Sequence, residues 1–187
     1  MSMPAGSETI AAHEADEDHE AHEAHETLAA HEALIWAVLA TVPDPEVPVL
    51  SLCDLGIVRE VQLQAEGGVH VVLTPTYSGC PATEVIAQSV QQALHAAGLG
   101  PVRVSHRLAP AWTTDWISQQ GREKLRVYGI APPGRVNNTV HIRPRNLACP
   151  RCNSADTERL SAFGSTACKA LHRCRACGEP FEHFKPL

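Results

Sequence analysis

Two cysteine pairs near the end of the chain, Cys149-Pro150-Arg151-Cys152 and Cys174-Arg175-Ala176-Cys177, stand 21 residues apart. Two residues between thiols let one tight turn aim both sulfurs at a single ion, and two such turns supply the four soft ligands of a tetrahedral zinc ion. Cys149, Cys152, Cys174 and Cys177 are therefore expected to form one metal site in a β-rich zinc ribbon. Pro150 suits an early turn position and Gly178 the left-handed position that ends a turn. Four such thiolates also hold a single iron in the manner of rubredoxin, and spacing alone does not separate the two ions. Disulfide pairing is the third reading. It is disfavoured because no basic segment followed by an apolar stretch marks a secretory signal.

Charge is divided unevenly along the chain. Residues 1–30 carry eight acidic side chains and no Lys or Arg, whereas residues 31–187 carry 15 basic against 13 acidic groups, so the net charge of −6 belongs to the first thirty residues. The nearly neutral remainder lacks the basic patch of a nucleic-acid binder and the polybasic surface of a membrane binder. No run of about 18 apolar residues marks a membrane span. The expected compartment is the cytoplasm, with the seven cysteines as thiols or metal ligands. Residues 1–27 are rich in His and Glu and almost free of large apolar side chains, so they are expected to be a disordered tail. His13, His19, His22, His25 and His31 could bind metal as a His-rich tract does, although charge repulsion favours a merely solvated segment.

Ordered structure is expected from Leu28. Leu28, Leu34, Ile35, Val38 and Leu39 recur at helical spacing, and the helix should stop before Pro43-Asp44-Pro45. Residues 56–63 and 69–73 alternate as two strands around Glu66-Gly67-Gly68, the pattern of a hairpin. A breaker-rich loop, residues 75–81, opens a helix over 82–97 with a stripe of Val85, Ile86, Ser89, Val90, Ala93 and Leu94. A third strand is predicted over 102–108. A last helix, capped in Thr113-Thr114-Asp115, should run through Leu125 with a weak point at Gly121. The expected fold is thus a small α/β (α+β) domain of order α-β-β-α-β plus a helix, over residues 28–130. A Pro/Gly-rich linker, residues 131–145, then leads to the ribbon, residues 146–187.

A second chemical feature is Cys80. Between a strand and a helix, with Pro81 at a first helical position, its sulfur would face the positive end of a helix dipole, which favours thiolate. A thiolate there could hold iron or pass an iron–sulfur cluster to a client, and a small buried cysteine packing the loop is the competing reading. Asp44, Glu46 and Asp54 precede the first strand. As carboxylates they could bind a hard metal, but the surrounding prolines equally suit turn or capping acids. Cys53 follows an apolar run and is expected to be packed. Cys168, between the ribbon pairs, reads either as a strand cysteine inside the ribbon or as a fifth exchanging thiol. Lys169, His172, Arg173 and Arg175 form a candidate basic patch, with His172 and His183 as spare ligands beside a site that four cysteines already satisfy.

Taken together, Asp44-Pro45-Glu46-Val47-Pro48, Asp54-Leu55-Gly56-Ile57-Val58 and the Thr74 to Pro81 loop with its Cys-Pro resemble the small α/β domain of iron–sulfur assembly factors related to SufT, over residues 30–108. The strings Pro110-Ala111-Trp112-Thr113-Thr114-Asp115-Trp116-Ile117, Tyr128-Gly129-Ile130-Ala131-Pro132-Pro133 and Phe163-Gly164-Ser165-Thr166-Ala167-Cys168-Lys169-Ala170, with the four ribbon cysteines, resemble the phenylacetate-degradation family PaaD, also called PaaJ. That resemblance implies an accessory or maturation factor for the phenylacetyl-CoA monooxygenase (epoxidase) of aerobic phenylacetate catabolism. It implies protein partners within that di-iron complex, its iron–sulfur reductase first, and is compatible with a homodimer. Cys80 carries over as the reactive cysteine of the assembly domain, with Asp44, Glu46 and Asp54 as neighbouring motif acids. The cofactors implied are a structural zinc in the ribbon and transient iron or an iron–sulfur cluster as cargo.

The residues agree that the chain is not itself the oxygenase: it has no paired Glu-x-x-His motifs, no glycine-rich dinucleotide fingerprint and no P-loop lysine. Two other roles stay open at this point, a rubredoxin-like electron carrier and a structural subunit of the complex.

Overall fold

The computed structural model describes residues 26–64, 67–77, 82–134 and 147–186. Cys80 and the histidines of the tail before residue 26 therefore lie outside the described residues, as do residues 135–146 of the expected linker.

The first helix, α1, spans residues 26–39 and is already formed at residues 26 and 27. Only its second half meets the core: Ile35 and Leu39 are fully buried, with Trp36 and Val38 packed beside them. Leu28 and Leu34, expected on the same face, are about half exposed at 54% and 51%. The sequence stripe is correct in period but too wide and too long, because nothing packs against residues 26–34.

Strands β1 (Val58–Leu63) and β2 (Val69–Leu73) form the expected antiparallel hairpin, and β3 (Val102–His106) joins β2 in parallel, so β2 is central. A parallel partner needs a crossover, and α2 (Thr83–Ala96) supplies it. Its buried residues are Ile86, Ala87, Val90 and Leu94, while Val85 is half exposed and Ser89 turns its hydroxyl back to the Val85 carbonyl. The stripe is thus rotated by about one residue from the sequence reading.

The expected single helix after Thr113 is split. Thr113 caps a short 3₁₀ turn, Thr114–Trp116. Ser118 then caps a separate helix, α3 (Gln119–Tyr128), accepting the Gly121 N–H at 2.8 Å. Extended backbone at Ile117 and Ser118 breaks the run. Gly121 is a point of close approach rather than of weakness, since a Cβ there would stand 3.1 Å from both Cβ and the carbonyl oxygen of Asp54.

The second sheet has the order β4-β7-β6-β5, formed by β4 (Ile130–Ala131), β5 (Thr157–Ser161), β6 (Lys169–Cys174) and β7 (Pro180–Phe184). It is open, with β4 parallel to β7 and the other pairs antiparallel. Residues 130 and 131, where the α/β domain was expected to give way to linker, thus add a short edge strand to the ribbon sheet. The α/β architecture followed by a β-rich ribbon is as the sequence indicated.

The two parts share apolar contacts. Phe184, 1% exposed, and Cys168, 9% exposed, belong to the same buried cluster as Leu39, Leu55 and Ile57 of the first domain. Phe184 also meets the Trp112 ring at 6.2 Å between centroids, and Trp112 donates its indole N–H to the Leu55 carbonyl at 2.9 Å. Among the described residues, no helix is long and apolar enough to cross a membrane.

Candidate metal sites

The two Cys-x-x-Cys turns are built alike. The Asn153 N–H donates to the Cys149 carbonyl and the Gly178 N–H to the Cys174 carbonyl, both at 2.9 Å. Each turn ends in the left-handed region, at Asn153 (φ 59°) and Gly178 (φ 79°). Gly178 was legible from sequence. Asn153 was missed, although asparagine is the non-glycine residue that most readily takes this conformation.

All four sulfurs lie within 4.8 Å of one another, with Cys149 Sγ 3.8 Å from Cys177 Sγ and Cys152 Sγ 3.6 Å from Cys174 Sγ. A disulfide needs about 2.05 Å, so these are four separate thiols and the disulfide reading is excluded. An ion bonded to four sulfurs at about 2.3 Å has a sulfur–sulfur edge of about 3.8 Å, which is the spacing present. Backbone N–H groups, foremost that of Cys177, favour the Cys174 thiolate and bring it to about 7. At Cys152 the Ser154 N–H pulls the same way, but the sulfurs of Cys177 and Cys174 outweigh it and push the thiol to about 12. Four neighbouring sulfurs do not all ionise unless a cation joins them, and the donor set fits one soft, four-coordinate metal ion.

His172 and His183 stand apart from this cluster. Their rings meet edge to face at 5.5 Å, and burial lowers both, His183 to about 4. The expected basic patch is also absent as a free surface. Lys169 is buried and paired with Glu182 at 2.9 Å, while Arg173 and Arg175 both bind Glu158.

The second site is assembled across the two parts of the chain. A cavity of about 10 Å³, room for one water-sized sphere, is walled by Asp44, Glu46, Pro75, Thr76, Cys168 and Phe184. Asp44 Oδ1 accepts the N–H groups of Glu46 and Val47 at 3.0 and 2.7 Å, an Asx-type turn that its flanking prolines stiffen. Its second oxygen has no hydrogen-bond partner among the described residues. Burial pushes the Asp44 carboxyl above the usual range, against the two N–H bonds. Glu46 Oε2 lies 4.0 Å from Cys168 Sγ, and the Thr166 hydroxyl is 3.0 Å from the same sulfur. Burial raises the Cys168 thiol. The same Glu46 also lines an open groove of about 580 Å³ with Tyr128, Lys169 and Glu182.

Asp54 does different work. Its Oδ2 accepts Ser51 N–H, Ser51 hydroxyl and Lys124 ammonium at 3.0, 3.0 and 2.6 Å, and Oδ1 accepts the Ser118 hydroxyl at 3.2 Å. Burial opposes its ionisation, yet the Lys124 and Ser51 bonds prevail and hold the carboxyl below its usual range. Asp54 thereby ties the acidic loop to α3 and does not line the cavity that holds Asp44 and Glu46. Cys53 is packed as expected, and burial followed by the Asp54 charge pushes its thiol up to about 11.

Residues 134–185 match the PaaD zinc beta ribbon domain, and residues 32–105 match the iron–sulfur cluster assembly protein family. A protein of Escherichia coli (strain K12), described as a subunit of a putative 1,2-phenylacetyl-CoA epoxidase, is 52% identical over 151 residues, covering 81% of this chain and 90% of that relative. The chain belongs to the PaaD family. Its assembly-like part is also 34% identical over 89 residues to an Fe-S protein maturation auxiliary factor of Porphyromonas gingivalis (strain ATCC BAA-308 / W83), covering 47% of this chain and 84% of that one. A further relative is the Fe-S protein maturation auxiliary factor YitW of Bacillus subtilis (strain 168), 33% identical over 96 residues, covering 50% of this chain and 91% of that protein. This PaaD-family protein is therefore an accessory factor related both to phenylacetyl-CoA epoxidase and to iron–sulfur maturation machinery, with a cluster of four cysteines able to coordinate a metal ion.

Proposed function

We propose that this protein is a cytoplasmic maturation factor of the phenylacetyl-CoA epoxidase system of aerobic phenylacetate catabolism, and that it is not itself a catalyst. In this reading the cargo, iron or a preformed iron–sulfur cluster, is taken up at Cys80 with Asp44 and Glu46 beside it. It is then passed to a metal centre of the complex, the iron–sulfur reductase first. Asp54 contributes by fixing the acidic loop on α3. Cys149, Cys152, Cys174 and Cys177 hold a structural zinc, which keeps residues 146–187 folded as a docking module joined through 131–145 to the domain of residues 28–130.

The observation that carries the reading is the juxtaposition of Asp44 and Glu46 on one small cavity whose wall includes Pro75 and Thr76. Those two residues begin the loop that reaches Cys80 four positions after Thr76. Carboxylate and thiolate donors of mixed hardness suit iron. The reading is tested by co-expressing the reductase with wild-type or Cys80→Ser protein and measuring its iron and acid-labile sulfide. The expected result is reductase lacking most of its cluster with Cys80→Ser, while the variant itself keeps one zinc per chain. Full cluster occupancy with the variant would refute the carrier role.

A further inference from the structure

We propose that Cys168, supplied by the ribbon, is a ligand of the metal-handling site in the α/β domain, forming with Asp44 and Glu46 a mixed sulfur–oxygen site for a divalent iron-like cation. The inference rests on the reading of that domain as a metal or cluster carrier and adds a donor from the other half of the chain.

Cys168 lies 122 positions from Glu46 in sequence, yet its sulfur is 4.0 Å from Glu46 Oε2. It is not a spare ribbon ligand, since the ribbon group contains only the other four cysteines. Nor is it placed as ordinary strand filling: it precedes β6 and faces a cavity whose other polar walls are Asp44, Glu46 and Thr76. Asp44 is 6% exposed, and one of its carboxylate oxygens is left without a hydrogen-bond partner among the described residues at that cavity. A buried carboxylate oxygen with no donor is costly unless a cation or a water meets it. The cavity has the volume for one such occupant.

The loop holds the sulfur firmly. Gly164 N–H donates to the Lys169 carbonyl at 2.8 Å, Lys169 N–H donates to the Thr166 carbonyl at 3.2 Å, and Lys185 N–H donates to the Cys168 carbonyl at 2.9 Å. A Cβ at Gly164 would come within 2.5 Å of Glu182 Oε1, so only glycine fits that turn. Thr166, with its hydroxyl 3.0 Å from the sulfur, can donate to the thiolate. On binding, the Cys168 S–H bond breaks, its proton leaves to solvent, and a sulfur–metal bond forms. No electron changes hands. The groove that shares Glu46 gives the cation a carboxylate to meet on its way in.

The test uses the full chain with one equivalent of zinc already in the ribbon, where zinc outcompetes cobalt. Anaerobic titration with Co²⁺ alone, as the stand-in for Fe²⁺, is followed by the thiolate-to-cobalt charge-transfer band in wild type, Cys168→Ser, Cys80→Ser and Glu46→Gln. A zinc content of one and an unchanged circular dichroism spectrum establish that each variant is folded. The inference expects a second metal equivalent in wild type, with affinity lowered about tenfold or more and the charge-transfer band weakened in Cys168→Ser. Glu46→Gln should lower affinity while leaving the sulfur band. If Cys168→Ser binds like wild type while Cys80→Ser does not, the role of Cys168 is overturned and the carrier reading survives. If Cys168→Ser loses binding while Cys80→Ser keeps both binding and client maturation, the Cys168 site stands and the assignment of Cys80 falls. Absence of any second equivalent in wild type overturns the inference, and the reductase assay above then judges the carrier reading separately.

Discussion

The ribbon turns and the Asp44–Glu46–Cys168 cavity are both built to face a cation, yet they are opposite in design. The ribbon brings four sulfurs of one kind, from two matching turns, to the spacing of a closed tetrahedron. Such a shell is complete and leaves no position for exchange, the arrangement of a structural ion. The cavity offers two carboxylates from a proline-stiffened loop and one thiol from a distant turn, which do not close around a point. An open, mixed set binds less tightly and can release what it binds. One chain thus carries a site that keeps its ion and a site suited to passing one on.

The largest effect should come from the closed site. Cys174→Ser removes a fully buried ligand, and metal binding in ribbons of this kind contributes about 10 kcal/mol or more of folding free energy. Zinc stoichiometry should fall well below one, and amide protection over residues 147–186 should be lost. A variant that stays protected without metal would erase the distinction between the two sites.

The next effect probes whether the halves are coupled. Phe184→Ala should cost about 3–5 kcal/mol, because the ring is 1% exposed and packs with Trp112 in the core of the first domain. Denaturant melting should show the loss in the α/β domain as well as in the ribbon. Loss confined to the ribbon would separate the halves and leave Cys168 without a fixed place in the cavity.

The smallest effect sharpens the contrast between the two loop acids. Asp54 has a depressed folded value, so its contribution is present in full above the unfolded value of about 3.9 and is lost as pH falls through the folded one. Asp54→Asn should therefore lower stability at neutral pH by about 1–3 kcal/mol, with the gap to wild type closing below about pH 4. Asp44 has the opposite sign. Burial raises it, so stability is lost as pH rises from the unfolded value through the folded one, and Asp44→Asn should leave the protein as stable or more so at neutral pH. An asparagine oxygen can still accept the Glu46 and Val47 N–H bonds. Thermal melts of both variants across pH 3–8 check the signs, and equal behaviour would mean that the two acids share one role.

Much of this molecule was legible in its residues, and the boundary is physical. Local features came through: the hairpin around Gly67 and Gly68, the crossover helix before Gly98, and the four ribbon ligands all depend on neighbours in sequence. What failed depends on tertiary contact. Leu34 and Val85 satisfy helical periodicity but find nothing to pack against. The helix after Thr113 breaks because Ser118 both caps α3 and donates its N–H to the Asp54 carbonyl 64 positions away. Cys168 read as ribbon filling because only the packing of Phe184 into the first domain brings it to Glu46. Arg173 and Arg175 read as a basic patch because their shared partner, Glu158, sits on the neighbouring strand.

The most direct test of the two-site account is metal and sulfide analysis, with an absorption spectrum, of anaerobically purified wild-type and Cys80→Ser protein. The account predicts one zinc per chain in both, with iron and sulfide bound by wild type and released in the variant. Iron that persists in Cys80→Ser in place of zinc, with the spectrum of a four-thiolate site, would contradict it and make the ribbon a redox centre.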